Sequence, residues 1–336
     1  MDIVLLLLVS RDEQHPNNRG FDLFYGMKAG GRDYFYNEKK SDRPGDERNL
    51  LLNDRQVKFE KYLTDAFSEK AVEFINESSQ PFMMYLAYNA VHTPMQATDE
   101  DMAKFEGHPR QKLAAMTYAL DRGVGTVIRG LKDSGKFDNT LIFFLSDNGG
   151  ATTNQSSNYP LKGFKGNKFE GGHRVPYFVV WKNGIPAGKP YDGLVSSLDI
   201  FATAIDAASI SKTRNRLDGV SLLPYLKGKK GEPHKVLYWR KMDTRAIRSG
   251  DYKLIITHGV DSVLYNIRRD PEEMNNLINK EPDLYRKLAK KLAKWEKNEC
   301  IEPSWLEEGW RKITNRYHQQ LMHNEIKTAQ DLYKRK

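Results

Sequence analysis

The chain has 336 residues, 39% of them hydrophobic, and a mean hydropathy of −0.69, enough for one large domain or two unequal ones. No stretch reaches the roughly 18 consecutive apolar residues that a membrane-spanning helix needs. A formal charge of +9 and a pI near 9.2 favour acidic partners, but no helix-turn-helix, finger or base-stacking motif accompanies that charge, so nucleic acid is not an expected partner.

The opening run Ile3-Val4-Leu5-Leu6-Leu7-Leu8-Val9 has the apolarity of a signal sequence. It lacks a basic leader and a small-residue cleavage site, and it reads instead as a buried strand. Compartment is left open. From there, strands and helices alternate. Tyr62 to Asn76 has helical spacing with Phe67, Ala71, Phe74 and Ile75 inward, and Phe82 to Tyr88 is a continuous apolar strand. Gln111 to Leu131 is a longer helix, Thr140 to Ser146 and Pro176 to Trp181 are strands, and Leu198 to Ala208 is a helix. Apolar strands alternating with helices predict a mostly parallel central sheet flanked by helices.

The pattern changes at the charged, turn-rich segment Lys227-Gly228-Lys229-Lys230-Gly231-Glu232-Pro233. Short alternating strands follow at Val236–Trp239, Arg245–Arg248, Tyr252–Thr257 and Ser262–Tyr265, and a helix from Pro282 to Glu299 closes them. These features predict a smaller C-terminal antiparallel sheet packed with a helix. The expected organisation is an α/β domain over 1–230, an α+β subdomain over 231–303 and a helical tail over 304–336. The basic run Arg286 to Trp295 puts Leu288, Leu292 and Trp295 on one side, as a docked amphipathic helix does. Cys300 is the sole cysteine, which excludes an intrachain disulfide. Trp305 to Lys336 has an amphipathic helical pattern that does not say what it packs on.

Three segments that follow or lead into strands carry reactive side chains. The first is Asn89-Ala90-Val91-His92-Thr93-Pro94, where His92 is a candidate general acid or anion donor and equally a structural histidine. The second is Ser146-Asp147-Asn148-Gly149-Gly150-Ala151. Asp147 and Asn148 offer hard oxygens to Ca²⁺ or, less well, Mg²⁺, and the glycines let the backbone turn and approach closely; an ordinary Asp-Asn-Gly turn has the same composition. The third is Lys162-Gly163-Phe164-Lys165-Gly166-Asn167-Lys168-Phe169-Glu170-Gly171-Gly172-His173-Arg174-Val175-Pro176, a basic, glycine-rich loop in which Lys165 can reach an oxyanion as a point charge.

In this order, NAVHTP, SDNGG and KGFKGNKFEGGHRVP strongly resemble the formylglycine-dependent sulfatases. HPNNRGFDLFYG at 15–26, DRGVG at 121–125, LDGVSLLPYLKG at 217–228, AIRSGDYKLI at 246–255 and LYNIRRDPEEMNNL at 264–277 extend the resemblance over about residues 15–299. It implies an alkaline-phosphatase/sulfatase-like α/β fold and hydrolysis of sulfate esters, aryl or carbohydrate. It also implies Ca²⁺ held by Asp147 and Asn148, with His92 and Lys165 contacting the sulfate and the leaving-group oxygen. The implied partner is a sulfated small molecule or carbohydrate. Members of the family are often periplasmic, lysosomal or secreted.

The chain departs from the family in three places. Neither the family's C/S-x-P-x-R nucleophile motif, whose Cys or Ser becomes formylglycine, nor its Lys-Trp-His-Leu-Gly segment occurs in these 336 residues. Cys300 lies in Asn-Glu-Cys-Ile-Glu-Pro and reads as an ordinary thiol. The first strand continues into Val9-Ser10-Arg11-Asp12-Glu13 where the family has an Asp-Asp metal pair; Asp12 and Glu13 are possible substitutes at a shifted offset. The simplest expectation is that a long segment after the first strand is missing. Two alternatives to turnover stay open: a non-catalytic protein that binds sulfated ligands, and a phosphate-ester hydrolase of the same fold.

Overall fold

In the computed structural model, the described residues are 2–6, 15–210, 216–300 and 308–333. Asp12 and Glu13 lie outside them. The chain forms two compact units, Met1–Asp138 and Asn139–Lys336.

The first unit begins with β1 (Asp2–Leu6), β2 (Leu23–Gly26), β3 (Leu51–Leu52) and β4 (Arg55–Gln56). It continues through α1 (Leu63–Glu77), β5 (Phe82–Leu86), α2 (Asp99–Ala103) and α3 (Gln111–Asp133). The opening apolar run is therefore a strand over Asp2–Leu6, as its composition predicts. One five-stranded sheet runs in the order β4-β3-β2-β1-β5. Its centre carries the parallel pairings that the strand–helix alternation predicts, β1 with β2 and with β5, while β3 and β4 add antiparallel edges.

Phe67, Ala71 and Ile75 of α1 are buried, as their spacing predicts, and Met116 and Ala119 of α3 join the same core. The two helices approach closely at Gly123, where an added Cβ would stand 2.6 Å from the Ser68 hydroxyl oxygen. One residue earlier, Arg122 pairs with Asp65 at 2.9 Å and Asp101 at 2.6 Å. The Asp-Arg-Gly-Val-Gly pattern thus serves helix packing and an ion-pair cluster.

The second unit starts with β6 (Ile142–Leu145), α4 (Glu170–His173), β7 (Tyr177–Val180), α5 (Asp199–Ala207) and α6 (Leu223–Leu226). β6 and β7 pair antiparallel, Phe143 opposite Val179. Four antiparallel strands follow, β8 (Val236–Lys241), β9 (Thr244–Ser249), β10 (Tyr252–Thr257) and β11 (Asp261–Asn266), in the order β11-β10-β9-β8. Then come α7 (Pro282–Glu299) and α8 (Glu308–Met322).

The predicted docking face of α7 is the real one. Leu288 and Leu292 are buried with Ile247, Leu254 and Leu264 of the sheet, and Trp295 stacks on Tyr238 with ring centroids 4.9 Å apart. Leu321 and Met322 of α8, with Ile326 and Ala329 beyond it, pack with Ala246, Ile255, Val263 and Tyr265 of the sheet and with Phe164 and Phe169. The unplaced amphipathic tail therefore closes the second hydrophobic core. No described helix is long and apolar enough to cross a membrane.

Candidate functional site

β6 delivers its chain to the loop at Asp147–Gly150, and the glycines of that loop lock it against the glycines at Gly171 and Gly172. The Gly149 N–H donates to the Gly172 carbonyl at 3.1 Å, and a Cβ on Gly149 would lie 1.8 Å from the Gly171 carbonyl oxygen. Only glycine fits such an approach. Next in line, the Lys165 N–H donates to the Gly150 carbonyl at 3.0 Å. Asn158 ties the two segments together: its side-chain oxygen accepts from the Gly150 N–H at 2.8 Å, and its amide donates to the Gly150 and Gly163 carbonyls.

Above this lock Asp147 is exposed and Asn148 half-buried. The Asn148 amide donates to Asp147 Oδ2, and the Ser146 hydroxyl donates to the Asn148 carbonyl at 2.8 Å. The Asn148 amide oxygen and the other Asp147 oxygen keep their lone pairs for an outside cation. The pair therefore fits as two hard-oxygen ligands for Ca²⁺. It is not a complete shell: no group of three or more His, Cys, Asp or Glu side chains suited to a metal occurs among the described residues.

The basic loop splits its three lysines among different roles. Lys162 is fully buried; its ammonium donates to the Glu273 carbonyl at 3.0 Å and the Asn324 side-chain oxygen at 2.5 Å, and lies 5.0 Å over the Phe169 ring. Burial pushes its pKa down to about 8. Lys165 is exposed and Lys168 half-buried. Gly163 and Gly166 hold φ near +93° and +97°, left-handed values that let the loop double back and present Lys165 outward. The tail braces the loop from behind: the Gly163 N–H donates to the Lys327 carbonyl at 2.7 Å, and Phe164 meets the Tyr317 ring edge-on at 5.3 Å.

Glu170 of α4 anchors the other end of the loop in a buried charge network. Its carboxylate takes Lys253 Nζ at 2.8 Å; Lys253 also reaches Glu273 at 3.0 Å, and the Glu170 N–H donates to Glu273 at 2.6 Å. Burial alone pushes the Glu170 carboxyl up, but Lys253 and His173 outweigh it and hold the group well below its usual range. Glu273, also fully buried, is pushed above its usual range by desolvation, with Lys253 opposing. His173 is pushed down to about 4 by burial and then by Lys253. Two carboxyls sharing one ammonium explain the opposite directions.

His92 belongs to the first unit, and Asp147, Asn148 and Lys165 to the second. The His92 loop is held by Tyr34, whose hydroxyl is 2.6 Å from the Asn89 carbonyl and 2.9 Å from the His92 carbonyl. The ring is exposed, and Nδ1 lies 2.8 Å from the Thr93 carbonyl. A carbonyl only accepts, so Nδ1 carries its proton and Nε2 is the nitrogen left for chemistry.

The chain is similar to known proteins along most of its length. The family model described as "Sulfatase" matches residues 6–210, more than half of the sequence. The chain belongs to the sulfatase family. A second model, "N-sulphoglucosamine sulphohydrolase, C-terminal", matches residues 165–298. The Escherichia coli protein called uncharacterized sulfatase YdeN is 38% identical over 240 residues, which cover 68% of this chain and 41% of that protein. Mouse arylsulfatase J is 28% identical over 350 residues, covering 85% and 58%. This sulfatase-family chain thus spans about half the length of the curated relatives it matches. Ps i-CgsB, solved with k-i-k-neocarrahexaose bound, is 34% identical with a TM-score of 0.83, covering 94% of this chain and 76% of that one. The alkaline-phosphatase/sulfatase-like α/β fold expected from the motifs is the fold of the sulfatase chain.

Of the residues singled out in the sulfatase motifs, Asp147, Asn148 and Lys165 share one locked pair of loops. The parts that the sequence reading missed are Asn158, the Glu170–Lys253–Glu273 network and the brace from residues 317–327. Glu170 stood inside a recognised motif; Lys253 and Glu273 pair with it from about 80 and 100 residues away, a distance over which a local pattern carries no signal. The residues present do not fit formylglycine. Cys300 follows α7 with its Sγ 3.6 Å from an Arg240 nitrogen, and no x-Pro-x-Arg follows it.

Proposed function

We propose that the Lys165 loop and the Asp147–Asn148 loop form a sulfate-ester site, for an aryl or carbohydrate sulfate, of the sulfuric ester hydrolase type. One observation carries the reading: the Lys165 N–H donates to Gly150 at 3.0 Å, so the cation and the acid–amide pair are fixed to the same backbone lock. Lys165 supplies a positive charge to the sulfate oxygens. Asp147 and Asn148 would hold Ca²⁺, which when bound draws negative charge from those oxygens.

A second reading rests on a specific observation. The family's nucleophile motif is absent from these 336 residues, and Cys300 does not replace it. On that reading the chain assayed by itself binds sulfated ligands without turnover. The experiment is an aryl sulfate assay with and without Ca²⁺, beside thermal shifts with a sulfated sugar, on wild type, Lys165→Ala and Asp147→Ala. Ca²⁺-dependent turnover lost in Asp147→Ala supports the hydrolase. A ligand-induced rise in Tm lost in Lys165→Ala, without turnover, supports the binding protein. Neither response, or faster turnover of the matching aryl phosphate, overturns the sulfate-ester reading.

A further inference from the structure

Beside Lys165 stand two further lysines, Lys241 in electrostatic reach of both Lys165 and Lys168, that ordinary ion pairing does not explain. Lys168 follows Lys165 in the turn that the Asn167 N–H closes on the Phe164 carbonyl at 3.2 Å. Lys241, the last residue of β8, reaches in from the antiparallel sheet. Its Nζ stands 3.1 Å from the point where a side chain on Gly166 would begin. Any substituent at Gly166 would fill that space.

The other lysines around this loop all have oxygen partners. Lys162 has Glu273 and Asn324, Lys253 has Glu170 and Glu273, and Lys327 has Glu272. Among the described residues, no carboxylate lies within ion-pair distance of Lys165, Lys168 or Lys241. Burial, then Lys241 and Lys253, pushes Lys168 down to about 8, and burial with Lys165 pushes Lys241 down.

A fourth group points to the same place. His318 of α8 is fully buried, with Nδ1 2.8 Å from the Thr314 carbonyl and Nε2 without a hydrogen-bond partner. Burial lowers its proton affinity first, and Lys168 and Lys241 lower it further, which places it within electrostatic reach of both. Half-buried like charges without counter-ions repel one another and lose hydration; an anion placed among them reverses both costs.

We propose that Lys168 and Lys241 form, beside Lys165, a second anion subsite that takes a further sulfate group of a multiply sulfated saccharide. The proposal rests on the reading that Lys165 meets the first sulfate, and it makes number of sulfates a determinant of affinity.

The test is calorimetric titration of the full chain with N-acetyl-D-glucosamine 6-sulfate, which has one sulfate, and D-glucosamine 2-N,6-O-disulfate, which has two. The disulfate binds wild type about tenfold more tightly, the size of one charge-assisted contact. Lys168→Gln and Lys241→Gln each bring that ratio close to one, Lys241→Arg keeps it, and Lys165→Ala weakens both sugars. Equal affinity of wild type for the two sugars, or a ratio untouched by both glutamine variants, overturns the subsite and leaves the sulfate-ester reading standing. No binding of either sugar to wild type overturns both.

Discussion

Substituting Gly149 by alanine tests whether the glycine lock holds the acid–amide loop in place. The new Cβ would lie 1.8 Å from the Gly171 carbonyl oxygen, where real Cβ contacts are not found below 3.0 Å. The two backbones must therefore separate by at least 1.2 Å, the difference between those distances. That movement stretches the 3.1 Å bond from the Gly149 N–H to the Gly172 carbonyl beyond hydrogen-bonding range. Overpacking of this kind costs about 1–3 kcal/mol, and a buried amide left without its partner costs about 1–3 kcal/mol more. The expected loss is about 2–6 kcal/mol, read as a fall in Tm of roughly 4–24 °C for a unit of this size. Asp147 and Asn148 move with the backbone, so under the proposed sulfate-ester reading a response to Ca²⁺ falls as well. Gly309→Ala serves as the control, since a Cβ there meets nothing within 4 Å at the start of α8, and its effect is neutral to slightly stabilising. A folded Gly149→Ala protein with a Tm within about 2 °C of wild type would refute the reasoning.

Two further outcomes follow from the buried charges. Lys253→Met leaves Glu170 and Glu273 facing each other without their shared ammonium, a loss of about 3–5 kcal/mol in urea unfolding; Glu273→Gln added to it restores part of that loss, and no rescue contradicts the shared-cation account. Burial pushes His173 and His318 each down to about 4, below the usual 6.5 of a histidine, so the folded state keeps them neutral while the unfolded chain protonates them. Their contribution to stability is complete above pH 6.5 and is lost as pH falls from there toward 4. Between pH 7.5 and 5.5 each contributes a loss on the order of 1 kcal/mol. Urea midpoints across that range should fall, with a shallower slope in His318→Gln; the same slope in that variant would exclude His318 as a contributor.

The amino-acid sequence by itself determined the local elements and the chemical types at the site. The helix at Gln111–Asp133, the strand at Phe82–Leu86 and the antiparallel strands from Val236 to Asn266 were legible because side-chain periodicity acts over a few residues. Asp147, Asn148 and Lys165 were legible because their glycine-rich surroundings are short-range patterns. Only the tertiary structure decided which lysine of the basic loop faces outward. Lys162, Lys165 and Lys168 are chemically identical in sequence, and burial of Lys162 against Phe169 of the same loop and Tyr265 of β11 separates them. The same holds for Glu170 meeting Lys253 and for residues 317–327 bracing the loop. Desolvation and charge pairing depend on what lies within a few ångströms in space, and a linear pattern does not encode neighbours brought together from 80 or more residues away.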